Sequence, residues 1–276
     1  LRALEIGSVG GARLEATGLI LDNGQGPDGS IGVKVKADDP RELLRLMGLT
    51  GSSSDPVWAT QLGKTELSGD IFDKTQNSKT VTSIDASATA DGLTASLTGA
   101  VDGAAALELV KFSGTASIKT GTSLRLVQLA GLQAPAGDGE SGELTVTAAG
   151  TLRDGFSTDL QLKAFGGRLD YSGLVRPSAS GIAMDGKLAL RATDAMPLAA
   201  ALGLPVPLLP AGQLVLDSAV TAKDGSISLP DVTGRIGSAR ISGDFSLDKG
   251  MKVSGNLSTG AFALRDLLAT LFLDWT

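Results

Sequence analysis

Neither cysteine nor histidine occurs in the 276 residues. Without cysteine the chain has no disulfide and no thiolate metal site. Without histidine it lacks the commonest general base and the commonest transition-metal ligand. Aromatic residues make up only 4%, so the bulk that a compact core usually draws from Phe, Tyr and Trp is missing. An excess of positive charge is missing too: the net charge is −6. That balance argues against a nucleic-acid footprint and against charge-driven docking on an anionic membrane. No apolar run reaches the roughly 18–20 residues of a membrane span. The longest candidate, Ala195–Gly212, is broken by Pro197, Pro205, Pro207 and Pro210, which a spanning helix does not accommodate. No leader peptide opens the chain: Leu1 stands inside a strand-like alternation. The expectation is a piece of a longer protein with any targeting segment upstream.

What is present is 42% hydrophobic residues, chiefly Leu, Ala, Val and Ile, together with 37 glycines. "GSARISGDF" (Gly237–Phe245) alternates: Ala239, Ile241, Gly243 and Phe245 on one side, Arg240, Ser242 and Asp244 on the other. This is the period of a half-buried strand, and it has echoes. "GGRLDYSGL" begins at Gly166 and "GGARLEATGL" at Gly10. The glycine late in the pattern recurs at Gly18, Gly99, Gly173 and Gly243, spaced by 81, 74 and 70 residues. The residues two and four before it are apolar each time: Ala16 and Leu14, Leu97 and Ala95, Tyr171 and Leu169, Ile241 and Ala239. Four copies in phase predict a structural repeat.

A second alternating strand follows each copy: "IGVKVKA" from Ile31, "FSGTASIK" from Phe112, "GKLALRAT" from Gly186 and "VSGNLST" from Val253. The period then changes. Asp38–Leu49, Gly121–Leu132, Thr193–Leu204 and Thr259–Phe272 carry apolar residues at helical spacing, with Asp, Ser or Thr in front as N-caps. Helices this short are stable only when packed on the sheet. Two more strands fit before the next copy, as in "GQLVLDSAVTA" with "SISLPDVTG" and "GELTVTAAGTL" with "FSTDLQLKAF". Asp-Gly at Asp91, Asp102, Asp154, Asp185 and Asp224, and Asp248-Lys249-Gly250, predict tight hairpin turns. The expected fold is mainly β with short helices. It is an elongated, curved antiparallel repeat sheet, taco-like with an apolar groove, of about four strands and one helix per unit of about 70–80 residues. One domain, 1–276, divides into approximate units 1–49, 50–132, 133–204 and 205–276.

No motif carries catalysis. "GQGPDG" (Gly24–Gly29) lacks the Lys-Ser/Thr of a phosphate loop. "LDNGQGPDG" lacks the acidic spacing and closing Glu of a calcium loop. Asp38 and Asp39 read as helix-start acids before Pro40. Trp58 and Trp275 are solitary and read as core or edge anchors. The chain reads as a non-enzyme with no cofactor and no metal. What remains is the apolar stripe. Per repeat, one short helix cannot cover four strands, so the sheet must curl on itself or face something apolar.

The strand-to-helix passage "GKLALRATDAMPLAAALGL", the "IGSARISGDFSL" strand and the final strand and helix, over Gly186–Leu271, resemble the AsmA-like proteins of Gram-negative envelopes. The resemblance extends more weakly over the whole chain through the repeats. It implies a periplasmic protein anchored in the inner membrane, with a taco-shaped sheet similar in architecture to TamB and to other bridge-like lipid transfer proteins. It also implies shielding of phospholipid acyl chains on the way between inner and outer membrane, and a part in outer-membrane assembly. The anchor helix of that family is absent from this sequence. Partners expected on this reading are a phospholipid or other acyl-chain lipid, and the membrane through the missing anchor, with no nucleic acid. The residues expected to face lipid are Leu14, Ala16, Val33, Val35, Ala95, Leu97, Ala116, Ile118, Leu169, Tyr171, Leu188, Leu190, Ala239, Ile241, Phe245, Val253 and Leu257. The rival expectation is a structural or adhesive secreted β-repeat domain with a dry, closed core and no ligand.

Overall fold

The computed structural model describes residues 3–9, 11–22, 24, 26–46, 57–60, 62–76, 79–103, 107–129, 140–178, 181–197, 212–249 and 252–260. The chain is mainly β. Its strands run antiparallel in chain order and group into two compact units.

The first unit contains β1 (Ala3–Val9), β2 (Ala12–Asp22), β3 (Pro27–Ala37), β4 (Thr65–Gln76), β5 (Lys79–Ala90), β6 (Leu93–Asp102), β7 (Lys111–Thr120) and β8 (Gly142–Thr151). Three short helices accompany them: α1 (Arg41–Leu46), α2 (Val57–Thr60) and α3 (Ser123–Leu129). The second unit contains β9 (Gly155–Ala164), β10 (Gly167–Ser178), β11 (Gly181–Ala192), β12 (Leu214–Lys223), β13 (Ser226–Ile236), β14 (Ala239–Leu247) and β15 (Val253–Thr259). Gly18, Gly99, Gly173 and Gly243 fall on β2, β6, β10 and β14, every fourth strand.

The turns follow local chemistry in part. Asp91-Gly92 and Asp224-Gly225 join strands with both residues at positive φ, as a two-residue hairpin turn requires. Phe165-Gly166 does the same between β9 and β10, with φ 52 and 65; a bulky residue there carries no sequence signal. Asp185-Gly186 is a correction. It lies inside β11, not in a turn, and Gly186 pairs with Gly173 of β10. A Cβ at Gly186 would stand 2.9 Å from Tyr171 Cε2, so glycine is there to let a ring lie flat on the sheet.

Short helical segments stand within three of the expected stretches: α1, α3 and residues 195–197. Asp39 accepts a bond from Arg41 N (3.1 Å) at the start of α1, and Asp194 one from Met196 N (3.0 Å), so both act as caps. Thr259 is the last residue of β15. Residues 47–49, 130–132, 198–204 and 261–272 of the expected helices, and Trp275, lie outside the described residues. Of Trp58 only the backbone, in α2, is described.

Candidate functional site

Pairing register decides which side chains share a face. In the first unit Leu14 lies opposite Val35, and that row continues through Leu67, Ala88, Ala95, Ile118 and Leu144. The next row runs Ala16, Val33, Gly69, Ala86, Leu97, Ala116 and Val146. A third includes Ile31, Ile71 and Ile84. Three neighbouring rows of one face are therefore free of any polar side chain from β2 to β8. The opposite face is hydroxyl-rich. Its rows hold Ser68, Ser87, Ser96, Ser117 and Thr145, then Thr98, Thr115 and Thr147. Ser68 Oγ and Ser87 Oγ are 3.0 Å apart, as are Thr115 Oγ1 and Thr147 Oγ1.

The apolar face is covered at one strand end. There Ala12, Ala37, Ala90 and Leu93 are buried, and α3 lies against β7 and β8. Leu126 sits where a Cβ on Gly142 would otherwise project, 2.5 Å away. Thr120 Oγ1 donates to Thr122 O (2.8 Å) beside it. Moving along the strands, cover is lost: Leu67 and Ile71 are 39% exposed and Leu97 37%, against 4% for Ala37 and Ala90.

The second unit repeats the arrangement within itself. Leu162, Leu169, Leu190, Leu216, Gly234 and Ile241 form one row, and Leu160, Tyr171 and Leu188 lie in the next. Ala192, Ala195, Leu214, Ile236 and Ile241 form a buried cluster, with Leu190 and Leu216 against it. Tyr171 is 3% exposed. Its ring crosses the Gly173–Gly186 pair, and its hydroxyl lies 3.1 Å from Leu174 O and 3.3 Å from Asp185 O. Burial pushes its pKa up. In the first unit Phe112 crosses the Gly99–Gly114 pair in the same way, its Cζ 2.9 Å from a Cβ at Gly114. Each aromatic ring lies over a glycine pair on the apolar face of its own unit.

All the expected lipid-facing positions of the first unit, Leu14, Ala16, Val33, Val35, Ala95, Leu97, Ala116 and Ile118, share its apolar face. In the second, Leu169, Tyr171, Leu188, Leu190, Ala239, Ile241 and Phe245 do so. Among them Val35, Tyr171, Ala239 and Ile241 are buried by protein atoms. Val253 and Leu257 are on β15, but their side chains lie outside the described residues. Arg240 and Asp244 are exposed on the opposite face. The sequence reading missed Leu67, Ile71, Ala86 and Ala88. The alternation of Ile84, Ala86 and Ala88 with Asp85 and Ser87 was the available signal.

Among the described residues no three His, Cys, Asp or Glu gather where a metal could sit. Among them, too, no helix is long and apolar enough to cross a membrane. No protein-family model, no curated protein and no solved structure matches the chain.

Proposed function

We propose that the chain is part of an AsmA-like envelope protein that shields lipid acyl chains on an apolar β floor, supporting phospholipid transport between the inner and outer membrane. On this reading each unit of four strands and a short helix adds a length of trough, and the full-length protein sits in the periplasm, held to the inner membrane by its anchor. The observation that carries the reading is the contrast within the first unit. Three rows of its floor lack polar side chains across seven strands, yet Leu67, Ile71 and Leu97 keep more than a third of their surface. A soluble protein rarely leaves such a contiguous patch without an apolar partner. Alanines and glycines alternate with the leucines, which leaves depth for a chain of methylenes. Each buried CH₂ contributes about 0.8 kcal/mol, so affinity scales with chain length and needs no headgroup contact.

The test is lipid extraction and native mass spectrometry of the protein purified from a Gram-negative host. The expected result is phospholipid bound in stoichiometric amount, displaced by a fluorescent fatty-acid analogue. A protein free of lipid that also leaves the analogue unbound would favour the dry, adhesive alternative and end the transport reading.

A further inference from the structure

The second unit, taken by itself, has a polar face of a different character. One residue in from the buried end of the strands, a single row runs Lys163, Arg168, Arg191, Val215, Arg235 and Arg240. Five of its six positions are cationic, in a chain whose net charge is −6. The corresponding row of the first unit is mixed in sign, three cations with two acids: Arg13, Lys36, Glu66, Thr89, Thr94, Lys119 and Glu143, with Lys36–Glu66 at 3.2 Å and Lys119–Glu143 at 3.3 Å. The cationic row is therefore not a general property of this strand position.

Part of that charge is answered locally. Arg168 meets Asp170 at 2.7 Å and Arg191 meets Asp217 at 2.6 Å. Arg235 and Arg240 are different. They stand directly opposite each other across β13 and β14, a placement of like charges that is unfavourable unless something negative lies between or beside them. Arg235 Nη2 donates to the neutral Gln213 Oε1 (2.9 Å), and Arg240 has no carboxylate partner among the described residues. A cavity of about 360 Å³ adjoins Arg240 and is lined also by Thr233, Ser242 and Ser258, which share its face of the sheet by register. A guanidinium fork at Arg240 with hydroxyl residues beside it, and a second fork on the facing Arg235, match the oxygens of a phosphate group.

We propose that Arg235 and Arg240, with the hydroxyls of Thr233, Ser242 and Ser258, form a binding site for a phosphate-bearing ligand. The site lies on the face opposite the apolar floor, so it stands or falls independently of acyl-chain shielding. Neighbouring strands stand about 4.8 Å apart, so two facing guanidinium groups on β13 and β14 lie close enough to share one anion.

Two probes identify the source of the phosphate, both used with the full 276-residue chain at low ionic strength, where such attraction is least screened. Calorimetry with inorganic phosphate reads the free anion. Flotation with phosphatidylcholine vesicles, with and without phosphatidic acid, reads a lipid headgroup. Arg240→Gln should weaken binding about tenfold, the worth of one charge-assisted pair, and Arg235→Gln with Arg240→Gln should abolish it. Arg13→Gln, in the mixed row of the first unit, should bind as the wild type does. Arg235→Lys with Arg240→Lys keeps charge and fold and should still lose several-fold through loss of the forks. Loss seen with phosphate assigns a free anion; loss seen only with phosphatidic acid vesicles assigns a lipid headgroup. If the paired Gln variant binds both probes as the wild type does, or the wild type binds neither, the site does not exist.

Discussion

Asp39 shows how one side chain can hold a helix start by charge. Its carboxylate accepts from Arg41 Nε at 2.9 and 3.0 Å and from the Arg41 backbone N. These bonds, the side-chain one foremost, lower its pKa from 3.8 to about 2. A depressed folded-state pKa means the contribution is complete above the ordinary value and is lost as pH falls through the folded one. The cap of α1 should therefore loosen between pH 3.8 and about 2. Both side chains are about half exposed, so solvent screens the pair and a carboxyl titration by NMR is a better readout than melting. Arg41→Ala should return the Asp39 midpoint toward 3.8. The glycine pairs set a second residue-scale expectation. A Cβ at Gly186 would stand 2.5 Å from Ser172 O and 2.8 Å from Gly173 Cα. Gly186→Val should cost about 2 kcal/mol through overpacking, seen as a lower denaturation midpoint, and Tyr171→Ala about 3 kcal/mol.

Among the elements, β13 holds the most informative irregularity. It has one more residue than either neighbour between Leu229 and Val232, and Asp231 sits there at φ 55. Side chains alternate along a strand, so the added residue lets Ile227 and Leu229 keep the same face as Val232 and Ile236. Ser218 Oγ donates to Pro230 O (2.7 Å) across the bulge. Deleting Asp231 should turn Ile227 and Leu229 to the polar face. Hydrogen exchange across β12–β14 should then rise while β9–β10 stays protected. Asp231→Gly should be neutral within about 0.5 kcal/mol, because glycine tolerates positive φ, whereas Asp231→Val should cost about 1–2 kcal/mol. The strands were legible from alternation, and the Asp91-Gly92 and Asp224-Gly225 turns from their composition. The bulge was not, since "SISLPDVTG" reads as one strand whose phase slips only when its partners are known.

For each unit as a whole, the two faces differ enough to be tested against each other. Leu97 and Ser96 are neighbours on β6 that point to opposite faces. Leu97→Asp places a charge on the apolar floor at a position 37% exposed. On the proposed acyl-chain reading it should remove most of the bound lipid while shifting the melting temperature little. Ser96→Asp should leave lipid recovery unchanged. Equal lipid loss in both variants would mean the floor is not where the acyl chains lie.

Local chemistry settled the alternation, the caps at Asp39 and Asp194, the turns at Asp91-Gly92 and Asp224-Gly225 and the phase of the four repeat glycines, because each depends on residues a few positions apart. Long-range pairing settled the rest. It brought Leu67, Ala88 and Leu144 into one row with Leu14, left Leu97 uncovered while burying Ile241, and turned Asp185-Gly186 from a turn into a seat for Tyr171. It also aligned Lys163, Arg168, Arg191, Arg235 and Arg240 from five strands, a concentration of charge that the overall balance of −6 conceals. The physical reason is register: which residues meet across a sheet depends on how each strand is offset against the next, and that offset is a property of the pair.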